Sequence, residues 1–163
     1  MMLLPIVLAQ VALFAGGPVN ISCHNLAAEG YGGFDGLAWK SERRIQINDP
    51  LCLSVNRFAN DHVLRSTSYE AGSSSENDPA WSMLTIAHEA EHVRHPDYSE
   101  SRVQCLALAR VARFALALGA SQNVATAAER DAARWASTSP ANYRRRCVVI
   151  RTPPRIKRRG RPE

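Results

Sequence analysis

The spacing of apolar and polar residues changes along the chain and divides it into segments. The first seventeen residues, MMLLPIVLAQVALFAGG, hold no charged side chain, and the first Lys or Arg is Lys40. Residues 18–42 are polar and glycine-rich, with Gly30, Gly32, Gly33 and Gly36 close together, a composition that predicts loops and turns. Arg44-Ile45-Gln46-Ile47 alternates polar and apolar, the pattern of a short strand. Asn48-Asp49-Pro50 stops it and opens a helix to about Leu64, with Asp49 as N-cap and Pro50 at the first helical position. A polar loop without apolar periodicity covers residues 66–78. Asp78-Pro79 repeats the start signal and predicts a helix from Pro79 to about Val93. Arg94-His95-Pro96-Asp97 ends it, because a residue before proline avoids the helical region. A further helix is expected from Asp97 or Ser99 to about Leu118, closing at Gly119. Another runs from about Ser121 to Ser137, ended by Ser139-Pro140. There is no internal repeat.

The length of 163 residues and a 45% hydrophobic fraction suit one domain with a real core. The net charge of +5 is unevenly spread: nine of the 20 Lys and Arg lie from Arg144 onward with a single acid, Glu163. The rest therefore carries eleven bases against fourteen acids, a mildly acidic body with a basic tail. That excludes a basic nucleic-acid-binding face. No aromatic residue is interleaved with the tail's charges, so base stacking is absent as well. The proline-rich tail at 151–163 is expected to be disordered, and its charge suits contact with an anionic membrane surface.

The apolar run at 1–17 fits the core of a secretory signal peptide. It also fits an N-terminal anchor, though at about 1.5 Å per residue it barely spans a bilayer. A buried N-terminal helix is the third reading. The domain proper is expected at 18–150. Cys23, Cys52, Cys105 and Cys147 form no C-x-x-C pair, which excludes a cysteine-based zinc knuckle. In a secreted or membrane-anchored extracytoplasmic chain they predict two disulfides, with three connectivities open; in the cytosol they would be buried thiols.

His88-Glu89-Ala90-Glu91-His92 is an H-E-x-x-H pattern inside a predicted helix. Residues four apart share a helix face, so the two imidazoles can bind one Zn2+ at about 2.0–2.1 Å. Glu89, at the edge of that face, can take a proton from a metal-activated water. Trp81, Leu84, Thr85, His88 and His92 form one stripe, which turns both histidines inward. The alternative is a surface helix that happens to carry two histidines. Glu100 is the candidate third metal ligand, because it shares a face with Val103, Ala107, Val111, Phe114 and Leu118. Its rival role is a capping-box glutamate behind Asp97. His95 and Asp97 are the next candidate ligands. Cys105 is about 140° round the helix from Glu100 and is read as structural. Glu91 is either a carboxylate orienting a histidine or a solvated residue. His24 and His62 are read as ordinary histidines.

On these residues the chain resembles the zincin metallopeptidases, and Glu100 looks like the glutamate ligand of their gluzincin branch. It does not fit the metzincins, whose pattern needs other residues where this chain has His95 and Tyr98. The wider pattern of Ile45-Gln46-Ile47, Cys52, LTIAHEAEH, Glu100 and Cys105-Leu106-Ala107-Leu108 resembles a group of small actinobacterial proteins of metallopeptidase type. That likeness spans about residues 43–147. The resemblance implies an α+β fold, mainly helical, with a small sheet above the active-site helix. It implies that Arg44–Ile47 is the strand that pairs with a substrate backbone.

Two functions follow as expectations. One is a zinc-dependent peptidase acting on a protein or peptide substrate, with Glu89 as base and His88, His92 and Glu100 on the metal. Its oxyanion stabiliser would come from Tyr98, His95 or Tyr143. The other is a non-catalytic, zinc-stabilised binding module at the cell surface. A fourth protein ligand, such as His95, would favour the module.

Overall fold

In the computed structural model residues 2–64, 78–139 and 147 are described. They form α1 (Pro5–Phe14), β1 (Asn20–His24), β2 (Gly36–Trp39), β3 (Arg44–Asn48), α2 (Asp49–Asp61), α3 (Pro79–Arg94), α4 (Glu100–Ala117) and α5 (Gln122–Thr138). The fold is α+β and mainly helical, as expected. The basic tail, Tyr143 and the polar loop at 66–77 lie outside the described residues.

The helix starts follow local chemistry. Asp78 caps α3, its Oδ1 accepting from the Ala80 and Trp81 amides at 2.7 and 3.3 Å. Its Oδ2 accepts from Trp135 Nε1 at 2.8 Å, which fastens the start of α3 to α5. Ser121 caps α5 by accepting from the Val124 amide. The cap of α2 is Asn48 rather than the expected Asp49, and the helix stops at Asp61 because His62 turns left-handed at φ 56°. The His62 ring then bonds the Leu118 carbonyl through Nε2 at 2.8 Å, at the end of α4.

The sheet order is β1-β3-β2. β1 lies parallel to β3, with Ile21 opposite Ile45 and Cys23 opposite Ile47. β2 lies antiparallel to β3, with Gly36 opposite Ile47 and Trp39 opposite Arg44. Two expectations need correction. The stretch 18–42 is not all loop, since it supplies β1 and β2. These strands are short, and only β2 pairs with a neighbour in the chain while β1 pairs with the more distant β3, so the glycine-rich composition hides them. And β3 cannot pair with a substrate backbone, because β1 and β2 already occupy both of its edges.

The N-terminal run is built into the core as a packed helix. Leu3, Val7, Val11 and Phe14 are buried, and Phe14 meets Phe114 of α4 edge-on at 5.2 Å. The Arg43 side chain holds the carbonyls of Ala15 and Pro18. The Leu4 amide donates to Asn56 of α2. No helix among the described residues is long and apolar enough to cross a membrane.

All four cysteines are paired, Cys23 with Cys52 and Cys105 with Cys147. The first bond staples β1 to α2, and the second ties α4 to residue 147. Loops of 29 and 42 residues are closed, which stabilises the fold by about 3.5–4 kcal/mol each on a chain-entropy argument. Disulfides of this kind belong to an oxidising compartment.

Candidate metal centre

α3 is the central helix of the domain and packs against α1, α2, α4, α5, β2 and β3. Every residue from Ser82 to Val93 is buried, the two histidines and two glutamates included. Polar groups so placed need partners. α4 supplies them. It starts at Glu100 with Ser99 as cap residue, so the turn through Pro96 lets α4 fold back along α3. Glu100 does not complete a capping box behind Asp97. Its carboxylate faces the histidines.

His88 Nε2 lies 3.1 Å from Glu100 Oε2, His92 Nε2 lies 3.0 Å from the same oxygen, and the two Nε2 atoms are 3.0 Å apart. These three donor atoms form a nearly equilateral triangle. A tetrahedral zinc ion at about 2.0–2.1 Å from its ligands spaces them about 3.3–3.4 Å apart, close to this triangle. The hydrogen bonding points the same way. His88 Nδ1 bonds Gln104 Oε1 at 2.7 Å. The amide oxygen can only accept, so the ring donates from Nδ1 and, when neutral, turns the Nε2 lone pair into the triangle. His92 Nδ1 is buried with no hydrogen-bond partner among the described residues. Two imidazole nitrogens and a carboxylate oxygen converging on one point fit a single cation better than they fit each other. His88, His92 and Glu100 form a group that can hold a metal ion.

The electrostatics before any ion binds reflect that crowding. Burial works against a charged His88, but the hydrogen bond to Glu100 and the charges of Glu89 and Glu100 raise its pKa above the ordinary value. Burial, helped by the charge on His88, lowers the pKa of His92. Hydrogen bonding from His88, opposed by partial burial and aided by His92, holds Glu100 down at about 2. Glu89 goes the other way, pushed up to about 7 by burial against the opposing charge of His88.

Glu89 sits where β2 crosses α3. A Cβ on Gly36 would lie 2.8 Å from Glu89 Cγ and 3.1 Å from Thr85 Cγ2, so only glycine lets the strand come this close. A cavity of about 330 Å³ opens beside this crossing, with Phe34, Trp81, Leu84, Thr85, His88 and Glu89 in its wall. Asp35 at its edge accepts a hydrogen bond from Trp81 Nε1 at 2.9 Å.

Several neighbours take other roles than the sequence reading gave them. Glu91 neither orients a metal-site histidine nor meets solvent. It is fully buried and paired with Arg110 Nε at 2.9 Å. His95 lies 3.6 Å from Glu91 and stacks on Tyr98 with ring centres 4.5 Å apart. Tyr98 accepts in turn from Arg102 at 3.0 Å. Neither His95 nor Asp97 joins the three-residue group. His24 bonds Glu29 and Ser22, and with His62 it stands outside the site as expected. Cys105 faces away, into its disulfide. The residue that sequence reasoning missed is Gln104. Its signal was available: it stands four residues after Glu100, on the same helix face. The chain matches no protein-family model, no curated protein and no solved structure.

Proposed function

We propose that the chain is an exported zinc peptidase of zincin type, with His88, His92 and Glu100 as ligands and Glu89 as the proton-handling group. One observation carries the reading: three converging donor atoms stand beside a buried carboxylate at the wall of a cavity. The donor set of two imidazoles and one carboxylate suits zinc. Zinc bound there supplies a Lewis acid that polarises a carbonyl and acidifies water. Gln104 holds the His88 ring in the tautomer a metal needs. Glu89 takes a proton from water on its carboxylate and returns it to the departing amine. β2 is an edge strand lying along α3, so the backbone-pairing role expected of β3 passes to β2.

The two disulfides support a place outside the cytoplasm. In this reading α1 stays on the mature chain, because its removal would uncover the core. The rival, a zinc-stabilised binding module, needs a fourth protein ligand to close the metal site. The described residues supply three, and His95 is engaged elsewhere.

Zinc-loaded protein should hydrolyse members of a mixed peptide library. Glu89→Gln should keep its zinc and lose about 10²–10⁴-fold in rate. A zinc-loaded wild type that cleaves nothing in the library would favour the binding module.

A further inference from the structure

Three acids stand at the site: Glu100 on the two histidines, Glu89 beside His88, and Asp35 close enough for its charge to act on Glu89. The cations nearby are mostly engaged. Arg44 pairs with Glu42 and covers the Trp39 ring. Arg102 covers Tyr98, Arg110 is paired with Glu91, and Arg43 holds the Ala15 and Pro18 carbonyls. Lys40 stands apart from this group. It follows β2 directly, and β2 runs along α3 from the crossing at Gly36 and Glu89. Its Nζ donates to the Pro96 carbonyl at 2.8 Å.

Pro96 lies midway in the turn between His92 and Glu100, so the ammonium is pinned over the link between the two ligand-bearing helices. Its charge acts on both Glu89 and His92. One of its three N–H groups goes to Pro96, which leaves donors for a ligand. The two ends of β2 thus have unlike surroundings. The cavity walled by Phe34 and Trp81 opens beside its start at Gly36, and the cation of Lys40 lies just past its end, bonded to Pro96.

We propose that Lys40 is a substrate-recognition residue, which pairs with a carboxylate on the part of a peptide substrate that lies toward Pro96. The inference rests on the zinc-peptidase reading and names the substrate class for that site. The favoured peptide carries a negative charge a short way from the reacting bond, as a C-terminal carboxylate or an acidic side chain. Lys40 is exposed, and its bond to Pro96 biases the ammonium toward this position, which lowers the cost of ordering it when the anion arrives.

The test is calorimetric binding of hydroxamate-capped dipeptides to the zinc-loaded full chain, which reads recognition without turnover. Three probes are compared: leucyl-glycine with a free carboxylate, its carboxamide, and leucyl-glutamate with an amidated C-terminus. Wild type should bind at least one carboxylate probe about tenfold more tightly than the carboxamide, and which one it favours identifies the source of the charge. Lys40→Met should erase that preference and still bind the carboxamide. Lys40→Arg should keep most of it. Equal binding of all three probes by wild type, or a preference that survives in Lys40→Met, would overturn the assignment of Lys40. Failure of zinc-loaded protein to bind any hydroxamate would overturn the peptidase reading itself, and this inference with it.

Discussion

α1 and α3 reverse the usual association of apolarity with burial. α1 has no charged residue, yet Ile6 and Leu13 on its outer side are 44% and 58% exposed. α3 carries His88, Glu89, Glu91 and His92 and is buried almost from end to end. The difference lies in what each helix asks of its neighbours. α1 needs only shape, which the row Leu3, Val7, Val11 and Phe14 finds against the core. α3 needs partners for its polar groups, and those partners organise the domain: Gln104 and Glu100 for the histidines and Arg110 for Glu91, while Gly36 of β2 leaves room for the Glu89 side chain. Burial of apolar surface stabilises the fold without specifying chemistry. Burial of polar groups does both.

The comparison is broken most severely by removing α1. Burying Val7, Val11 and Phe14 stabilises by about 1.5–3 kcal/mol each, which together rivals the whole stability of a small domain. A chain starting at Pro18 should therefore fail to fold, as read by circular dichroism. A stable, folded product would show that α1 is dispensable and that the N-terminal run acts as a removable leader.

The buried ion pair comes next. Arg110→Met would leave the buried Glu91 carboxylate with only His95, 3.6 Å away, at a cost of about 3–5 kcal/mol in chemical unfolding. Adding Glu91→Gln should recover much of the loss. If the single and double variants are equally unstable, the pair is not what matters there. Arg110 also sits over the Phe14 ring at 5.6 Å, so the residue that answers α3's charge touches α1 as well.

Much of this was legible in the sequence and some was not, for physical reasons. α3 announces itself because its cap, its proline and its terminating His95-Pro96 are all local signals. The facing of His88 and His92 follows from helical spacing, and Glu100 was a candidate from its position on the α4 stripe, with a capping role open until the structure turned its carboxylate to the histidines. β1 was hidden because its identity comes from pairing with the distant β3, and β2 because four residues of a glycine-rich, polar stretch are too few to show an alternating pattern. Gly36 reads as a turn residue until the Glu89 side chain is seen against it. Glu91 could not be assigned, since Arg110 reaches it from another helix. Gln104 was visible in principle, but an uncharged side chain on a stripe of apolar residues does not call attention to itself.

A smaller effect sharpens the account of that residue. Gln104→Leu should fold normally and weaken metal binding by about 10–100-fold, as expected for a lost partner that orients a ligand. Unchanged affinity in a zinc titration would make Gln104 a packing residue only. The same titration carries a pH signature. The metal requires neutral His88, whose pKa is raised before the ion binds, so binding expels a proton and affinity falls as pH falls. Affinity independent of pH between neutral and mildly acid conditions would contradict the ligand role of His88.

The central claim is that α3 is buried around a metal, and it is tested most directly by the zinc content of the full-length protein after exhaustive dialysis against metal-free buffer. The account predicts about one zinc per chain, lost in His88→Ala and in Glu100→Ala. Zinc-free wild type that nevertheless holds its fold, or full zinc retention by both variants, would contradict it.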